Sequence, residues 1–186
     1  MPPETLEKSI SDPDAALIAA INTGCRESFH QLYQRYVGKV YAHCLRMTAD
    51  TELAADTSQE VFIQVWLNLN KFKWNSLFTT WLHRITVNTC ITAMRKRKSR
   101  FRILQPEGDS TAANGYTEQT ELHGIDKWII KLPERARQVF VLHCIEGYRH
   151  EEIATLLNTT VGTSKSQYHR ARNMLKQWLE ADYGTN

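Results

Sequence analysis

The sequence predicts an all-α protein with two small helical domains joined by a flexible linker. Apolar residues recur at spacings of three and four over most of the chain, and strand patterns are weak. A polar segment with one Pro, two Gly and many small residues, residues 103–121, interrupts this pattern and reads as the linker. The chain of 186 residues is long enough for two such domains.

The first predicted domain, residues 13–102, follows an N-terminal tail, residues 1–12. Asp12 and Pro13 together predict a helix start with proline at the first helical position. This first helix is short and is expected to end near Asn22. A second helix, 27–47, and a third, 51–69, follow because their apolar residues return every three or four positions.

The fourth helix is the most informative element of the first domain. We expect it to begin near Ser76, whose hydroxyl can cap it. One face is apolar and predicts burial: Phe78, Trp81, Leu82 and Ile85. Another face carries polar and cationic residues at compatible helical spacing: Arg84, Asn88, Arg95, Lys98 and Arg102. One side of this helix is therefore suited to a core and another side to an anion.

Charge is distributed very unevenly along the chain. The net formal charge is only +3, yet residues 61–106 contain nine Lys or Arg and no acid. Six of the eight positions from Arg95 to Arg102 are basic. A second stretch without acids, residues 161–178, carries four more cations. Two separated basic patches indicate an extended polyanion contacted twice.

The second predicted domain, residues 122–182, has the layout of a helix-turn-helix. A short helix, about His150 to Leu157, precedes a three-residue turn and a longer helix. The N-terminal part of the longer helix carries the side chains suited to base edges and phosphates: Thr163, Lys165, Ser166, Gln167, His169, Arg170 and Arg172. A plain helical hairpin with a solvated basic face is the alternative on these residues alone.

Aromatic residues lie within and beside the first basic patch. Basic side chains follow a sugar–phosphate backbone, and aromatic rings stack on unpaired bases, so this combination favours a single strand. Phe78 is better explained as a core residue, whereas Trp74, in a polar loop, is the better candidate for an accessible ring. The loop and helix residues predicted to contact DNA are Lys73, Trp74, Asn75, Ser76, Trp81, Arg84, Asn88, Arg95 and Lys98.

The third helix combines acids with large aromatic residues, which is typical of a protein-binding surface with buried anchors. A polar solvated face above core aromatics explains the same pattern equally well. The residues concerned are Asp56, Gln59, Glu60, Phe62, Ile63 and Trp66.

Several classes of protein are disfavoured by what the sequence contains. No apolar run approaches the length of a signal peptide or a membrane span, so we expect no membrane insertion and a cytoplasmic protein. The four Cys lack zinc or disulfide spacing, and the seven His are dispersed, so no cofactor or metal is expected. A metal held by His143 and His150 is a minor alternative.

Three motifs in chain order resemble the extracytoplasmic-function (ECF) group of bacterial RNA polymerase sigma factors. They are Asp56-Thr-Ser-Gln-Glu-Val-Phe, then Phe72…Ser76…Phe78-Thr-Thr-Trp-Leu-His-Arg-Ile, then Val161-Gly-Thr…His169-Arg-Ala-Arg172. The resemblance covers about residues 14–180. It implies a sigma-2 helical bundle, a linker and a sigma-4 helix-turn-helix domain, with no catalytic site of its own.

The resemblance also implies a role for each predicted surface. The third-helix residues match the contact to the clamp helices of the polymerase β′ subunit, and the β flap is a further implied contact. The loop and fourth helix match the part that reads and melts the −10 promoter element, where a flipped base is held. The sigma-4 residues match the −35 readers. The linker is expected to pass through the polymerase, and an anti-sigma factor is the implied regulator.

Four positions depart from the family's usual residues. Trp74 stands where Gly is usual, and Arg149 replaces a usual Ser or Thr N-cap. Ser164 replaces a usual Val, and Gln167 replaces a usual Arg. Because Gln pairs bidentately with adenine, a changed −35 preference is expected.

Two rival functions differ from this hypothesis in what they require. A helix-turn-helix activator or repressor that works without polymerase has no use for the Asp56–Trp66 surface. A recombinase or nuclease with a helix-turn-helix tail needs a catalytic cluster, and Asp56 and Glu60 lack partners in the sequence that would form one.

Overall fold

The computed structural model describes residues 12–104 and 124–183, and all regular elements within these ranges are helical. The prediction of an all-α fold is confirmed there. The helices are α1 (Ala15–Asn22), α2 (Arg26–Thr48), α3 (Thr51–Asn68), α4 (Phe78–Leu104), α5 (Asp126–Ile129), α6 (Glu134–Phe140), α7 (His150–Leu157) and α8 (Val161–Tyr183).

Two short segments of other helix types extend these helices. One helix also runs further than predicted. A 3₁₀ turn, Leu69–Lys71, continues α3, and a π-helical turn, Val141–Ile145, continues α6. Helix α4 continues to Leu104, so it includes the first two residues of the predicted linker. The rest of that linker lies outside the described residues. None of the helices in the described ranges has the length and apolarity that crossing a bilayer requires.

The chain forms two compact units. Within the described residues, the first comprises residues 12–44 together with Ala54–Ala93, and the second comprises Leu45–Leu53 together with residues 94–104 and 124–183. Helices α2, α3 and α4 therefore each contribute to both units. The packing units do not coincide with the predicted domains, whose bounds stay a prediction.

The core of the first unit consists of apolar stripes from α2, α3 and α4, in agreement with the spacing in the sequence. Each stripe is almost fully removed from solvent, which is the main favourable term in folding. The buried residues include Leu32, Tyr36, Val40 and Cys44 of α2, Ala54, Val61 and Val65 of α3, and Phe78, Leu82, Val87 and Cys90 of α4. Phe78 is a core residue as predicted, whereas Trp81 and Ile85 are only half-buried.

The segment before α1 anchors the start of α4. One carboxylate oxygen of Asp12 accepts a hydrogen bond from the main-chain N–H of Phe78 at 2.7 Å, and the other accepts from the N–H of Asp14 at 2.9 Å. Asp14 is fully buried and accepts hydrogen bonds from Tyr36 and Arg35. The Asp12 carboxylate also lies at the N-terminal end of α4, where the positive end of the helix dipole favours an anion.

Two sequence expectations about helix starts are corrected here. Pro13 is not the first helical residue, since α1 begins at Ala15. Helix α4 begins at Phe78, two residues after Ser76, and its first N–H group is bonded to Asp12. A carboxylate that lies 66 positions away thus takes the capping role expected of Ser76.

The second unit is organised around a buried arginine. Arg137 on α6 is 1% exposed, and within the described residues its hydrogen bonds go to main-chain carbonyl oxygens. The acceptors are Met47 at 3.2 Å, Thr48 at 3.0 Å, Ile130 at 3.3 Å and Leu132 at 2.7 Å. Burial lowers the pKa of Arg137 to about 10. The guanidinium offers five donors in a rigid fork, which suits it to holding several carbonyl groups at once.

The helix-turn-helix of the second unit follows the predicted layout. Helix α7 ends at Leu157, and the next residue, Asn158, has a φ of 50° that allows the chain to turn sharply. Thr160 then caps α8, because its Oγ1 accepts a hydrogen bond from the N–H of Thr163 at 3.1 Å. Behind α8 lies an apolar cluster, made of Leu132, Ala136, Ala171 and Leu175 with Trp128, Phe140, Met174 and Trp178 packed against it.

The capping of α4 gives a direct test of the fold. We expect Asp12→Ala to lower the free energy of unfolding by about 1–2 kcal/mol. The buried N–H group of Phe78 loses its acceptor, and the dipole of α4 loses the negative charge at its N-terminal end. Ser76→Ala, the matched control, should cost less than about 0.5 kcal/mol. Urea denaturation of both variants checks this. A larger loss for Ser76→Ala than for Asp12→Ala would contradict the assignment.

Candidate polymerase and nucleic-acid interface

Helix α3 presents acids and apolar side chains on one exposed face. Asp56, Gln59 and Glu60 are exposed as predicted, and Glu60 accepts a hydrogen bond from Gln64 at 2.7 Å. Beside them, Ile63 is 51% and Trp66 is 44% exposed. Exposed apolar side chains of this size next to acids indicate a surface for a protein partner.

Two residues of this surface differ from the prediction. Phe62 is 5% exposed and packs edge-on against Tyr33, with ring centroids 4.7 Å apart, so it holds α3 in place instead of lying on the surface. Leu67 was not predicted, yet it is 58% exposed. Its spacing of four from Ile63 was the available signal, because such residues share a helix face. We call Asp56, Gln59, Glu60, Ile63, Trp66 and Leu67 the α3 surface.

The loop before α4 holds a cluster of aromatic rings. Phe72 contacts Trp74 with ring centroids 4.8 Å apart, Trp81 at 5.3 Å and Phe78 at 6.1 Å. Phe78 is buried, whereas the other three rings are half-buried. Partly accessible rings that are fixed by their neighbours are suited to stacking with a planar base. We call Phe72, Trp74 and Trp81 the aromatic ledge.

Trp74 has an unusual backbone conformation. Its φ of 57° lies in the left-handed region, where a bulky residue costs about 1–2 kcal/mol relative to Gly. This geometry accounts for the family's usual Gly at the position. In this chain the strained turn places the indole ring on Phe72, so the backbone cost accompanies a gain in ring contact.

The remaining predicted residues of this region are also accessible. Lys73 and Asn75 are exposed in the loop, and Ser76 is half-buried. On α4, Arg84 and Asn88 are exposed on one face, one turn apart. The loop and the first half of α4 thus offer two exposed cations, Lys73 and Arg84, together with polar hydrogen-bonding groups.

The C-terminal part of α4 belongs to the second unit, and there the cations are partly engaged. Lys98 is exposed, as predicted. Arg95 is also exposed, but its Nη2 donates a hydrogen bond to the carbonyl oxygen of Leu156 at 2.6 Å. Arg97 forms an ion pair with Asp50 at 2.7 Å. Arg97 therefore fixes the helix, whereas the exposed Arg95 has further N–H donors that can bind a phosphate.

Helix α8 separates its charged and apolar faces as the spacing predicts. Ser164, Ala171 and Leu175 are buried on one side. The exposed side carries the cations and polar groups Lys165, Ser166, His169, Arg170 and Arg172, while Thr163 and Gln167 are half-buried. An α-helix with this arrangement fits the major groove of DNA.

The start of α7 shows how the chain tolerates Arg149. Arginine has no acceptor atom, and its side chain makes no capping hydrogen bond. The Glu152 side chain instead accepts a hydrogen bond from the main-chain N–H of Arg149 at 2.8 Å. One half of a capping box is thus present without the usual Ser or Thr.

The α3 surface, the aromatic ledge and the helix-turn-helix lie in the regions matched by two family profiles. Sigma-70 region 2 matches residues 32–100, which include the α3 surface and the aromatic ledge. Sigma-70, region 4, matches residues 123–175, which include the helix-turn-helix. The ECF RNA polymerase sigma factor SigW of Bacillus subtilis is 30% identical over 179 residues, covering 87% of this chain and 94% of SigW. The chain is an ECF sigma factor.

Solved structures agree with the fold of this sigma factor. The sigma factor RpoE in complex with the anti-sigma factor NepR, from Bartonella quintana, matches with a TM-score of 0.56 and 23% identity, over 84% of this chain and 99% of that one. CnrH in complex with the cytosolic domain of CnrY matches with a TM-score of 0.51 and 26% identity, over 92% and 99%. The expected sigma-2 and sigma-4 architecture is confirmed.

Proposed function

We propose that this sigma factor binds core RNA polymerase through the α3 surface and directs initiation at promoters that it reads at two elements. The observation that carries the proposal is the pairing of an exposed acid-and-apolar surface with two separate cationic helix faces. A helix-turn-helix regulator that works without polymerase has no use for exposed Ile63, Trp66 and Leu67, so this rival is disfavoured.

Polymerase docking is assigned to the α3 surface. Exposed apolar side chains next to acids suit a partner helix that carries apolar and basic groups. The family resemblance implies that this partner is the pair of β′ clamp helices. Phe62 supports the surface from inside by its contact with Tyr33. A contact between the second unit and the β flap belongs to the same proposal.

Reading and melting of the −10 element are assigned to the aromatic ledge and α4. Melting exposes bases, and the flipping of one base costs a few kcal/mol. Stacking on an aromatic ring returns roughly 1–3 kcal/mol per base, so the ledge can offset much of this cost. The residues proposed to contact this element are Lys73, Trp74, Asn75, Ser76, Trp81, Arg84, Asn88, Arg95 and Lys98.

Reading of the −35 element is assigned to α8. Its exposed N-terminal residues enter the major groove, where polar side chains reach base edges and cations reach phosphates. The residues proposed for this role are Thr163, Lys165, Ser166, Gln167, His169, Arg170 and Arg172. Gln167 is proposed to favour adenine, because its amide can pair bidentately with that base. Its side chain is half-buried in the free protein.

Regulation by an anti-sigma factor is the last part of the proposal. The structural match to CnrH bound to the cytosolic domain of CnrY supports it, as does the match to RpoE bound to NepR. We further propose that the protein acts in the cytoplasm, where core polymerase and promoter DNA are found, and that it has no catalytic site of its own.

Multi-round transcription tests the function as a whole. Core polymerase with this protein and a library of supercoiled promoters should give transcripts from a subset of templates that share two spaced elements. Core polymerase alone is the control. Binding of the library without transcripts would support a polymerase-independent regulator, and cleavage of the templates would support a nuclease or recombinase.

The α3 surface gives a specific prediction for docking. Leu67→Glu should weaken binding to core polymerase about tenfold, because it places a charge in the apolar part of the contact. Leu77→Glu is the matched control, since Leu77 is also an exposed leucine, at 45%, but lies outside the α3 surface. Binding is measured without DNA by fluorescence anisotropy. Equal losses in the two variants would argue against this surface.

The aromatic ledge gives a prediction for promoter opening. Trp74→Ala should lower the yield of open complex about tenfold while core polymerase binding stays unchanged, because one stacking ring is lost. Trp74→Phe keeps a ring and should retain most of the activity. Permanganate footprinting of unpaired thymines measures opening. Parent-like opening by Trp74→Ala would refute the role of the ring.

A further inference from the structure

A polar contact joins the two helices of the helix-turn-helix where apolar packing is usual. Nδ1 of His150, the first residue of α7, lies 2.9 Å from Oγ of Ser164 on α8. Ser164 is fully buried, and Lys165 and Ser166, two of the proposed −35 readers, follow it directly.

Two further aromatic groups, His143 and Tyr168, fix the His150 ring. His143, from the π-helical turn, stacks on it with ring centroids 4.3 Å apart and an interplanar angle of 22°. Nδ1 of His143 lies 2.8 Å from the carbonyl oxygen of Tyr148, which can only accept, so Nδ1 carries the hydrogen. Tyr168 of α8 packs edge-on against both imidazole rings. The His150 side chain is thus held on two sides.

The surroundings of His150 oppose a positive charge on its ring. Burial lowers the pKa of His150 below 6.5, and His143, Lys165 and His169 lower it further, whereas Glu151 raises it. The other titratable groups nearby are Tyr168, which contacts both rings, and Cys144 next to Tyr168. Protonation therefore places a positive charge close to the Lys165 ammonium, and Glu151 is the acid that favours it.

The sign of the pH effect follows from this shift. As the pH falls below 6.5, the unfolded chain takes up a proton at His150 before the folded protein does, so the folded state loses stability. The loss is complete once the pH is below the lowered pKa of the folded protein. Above pH 6.5 this contribution to the stability of the folded state is fully present.

We propose that His150 is a positioning residue for −35 recognition: through Ser164 it fixes the N-terminal end of α8, and its protonation loosens that end. The proposal rests on the −35 reading assigned above. Base contacts depend on the register of the helix, whereas phosphate contacts tolerate small displacements. Loss of the His150–Ser164 contact should therefore reduce discrimination between promoters more than it reduces overall binding to DNA.

The test is a double-mutant cycle in the holoenzyme. Its readout is the ratio of affinities for a promoter selected by the parent protein and for the same promoter with a scrambled −35 element. At pH 7.5, His150→Ala and Ser164→Ala should each lower this ratio about fivefold, the loss expected for one hydrogen bond. The double variant should lose no more than either single one, because both remove the same contact. His30→Ala, an exposed histidine in the first unit, is the control and should change nothing.

A pH arm separates positioning from general stability. Between pH 7.5 and 5.5 the ratio should fall severalfold for the parent. It should fall clearly less for His150→Gln, which keeps a hydrogen-bonding group but does not titrate, while His143 and His169 are the same in both proteins. Thermal melting shows whether each variant folds. If His150→Ala does not fold, Ser164→Ala and His150→Gln test the proposal in its place.

Three results would overturn the proposal. They are an unchanged ratio in both single variants, additive losses in the double variant, and the same pH profile for parent and His150→Gln. If the parent holoenzyme itself showed no preference for any −35 sequence, the −35 function would fail first, and the positioning role would fall with it.

Discussion

Helices α4 and α8 each have to pack in a protein core and face a polyanion at the same time, and the rest of the structure depends on this double requirement. An apolar stripe buried on one side, with Phe78 and Leu82 on α4 and Ala171 and Leu175 on α8, fixes the rotation of each helix. The opposite side is then left exposed and cationic. Exposed cations on that side, such as Arg84 and Lys98, are available to bind DNA, whereas Arg97 is engaged in an ion pair with Asp50.

Other contacts set where these helices begin, and the proposed functional groups lie at those beginnings. Asp12 binds the first N–H group of α4, directly after the loop that carries Trp74. Thr160 caps α8, and His150 holds Ser164 within its first turn. In both units, polar side chains form hydrogen bonds at the start of the helix, and these bonds fix where the helix begins. In the proposed function, recognition therefore depends on hydrogen bonds that locate a helix end as much as on the side chains proposed to contact DNA.

The sequence alone was enough to predict the features that depend on the spacing of residues within one helix or turn. The apolar stripe of α4, its cationic face and the helix-turn-helix all follow from spacing within one helix or turn. Contacts between distant residues were not predictable: Asp12 replaces Ser76 at the start of α4 because the two segments meet only in the fold. Phe62 turned out to be buried because Tyr33 packs on it, and Leu67 was missed although its spacing from Ile63 was visible. The strained backbone at Trp74 likewise depends on ring contacts with Phe72, which lie beyond what spacing encodes.

The salt dependence of promoter binding by the holoenzyme tests most directly whether two cationic helix faces contact one DNA. Each phosphate contact contributes about 0.9 to the slope of log K against log salt. Replacing Arg84 and Lys98 of α4 by Ala should reduce the slope by about 1–2, and so should replacing Lys165 and Arg172 of α8. Lys39→Ala, an exposed control on α2, should leave it unchanged. The same slope for all of these proteins would contradict the account.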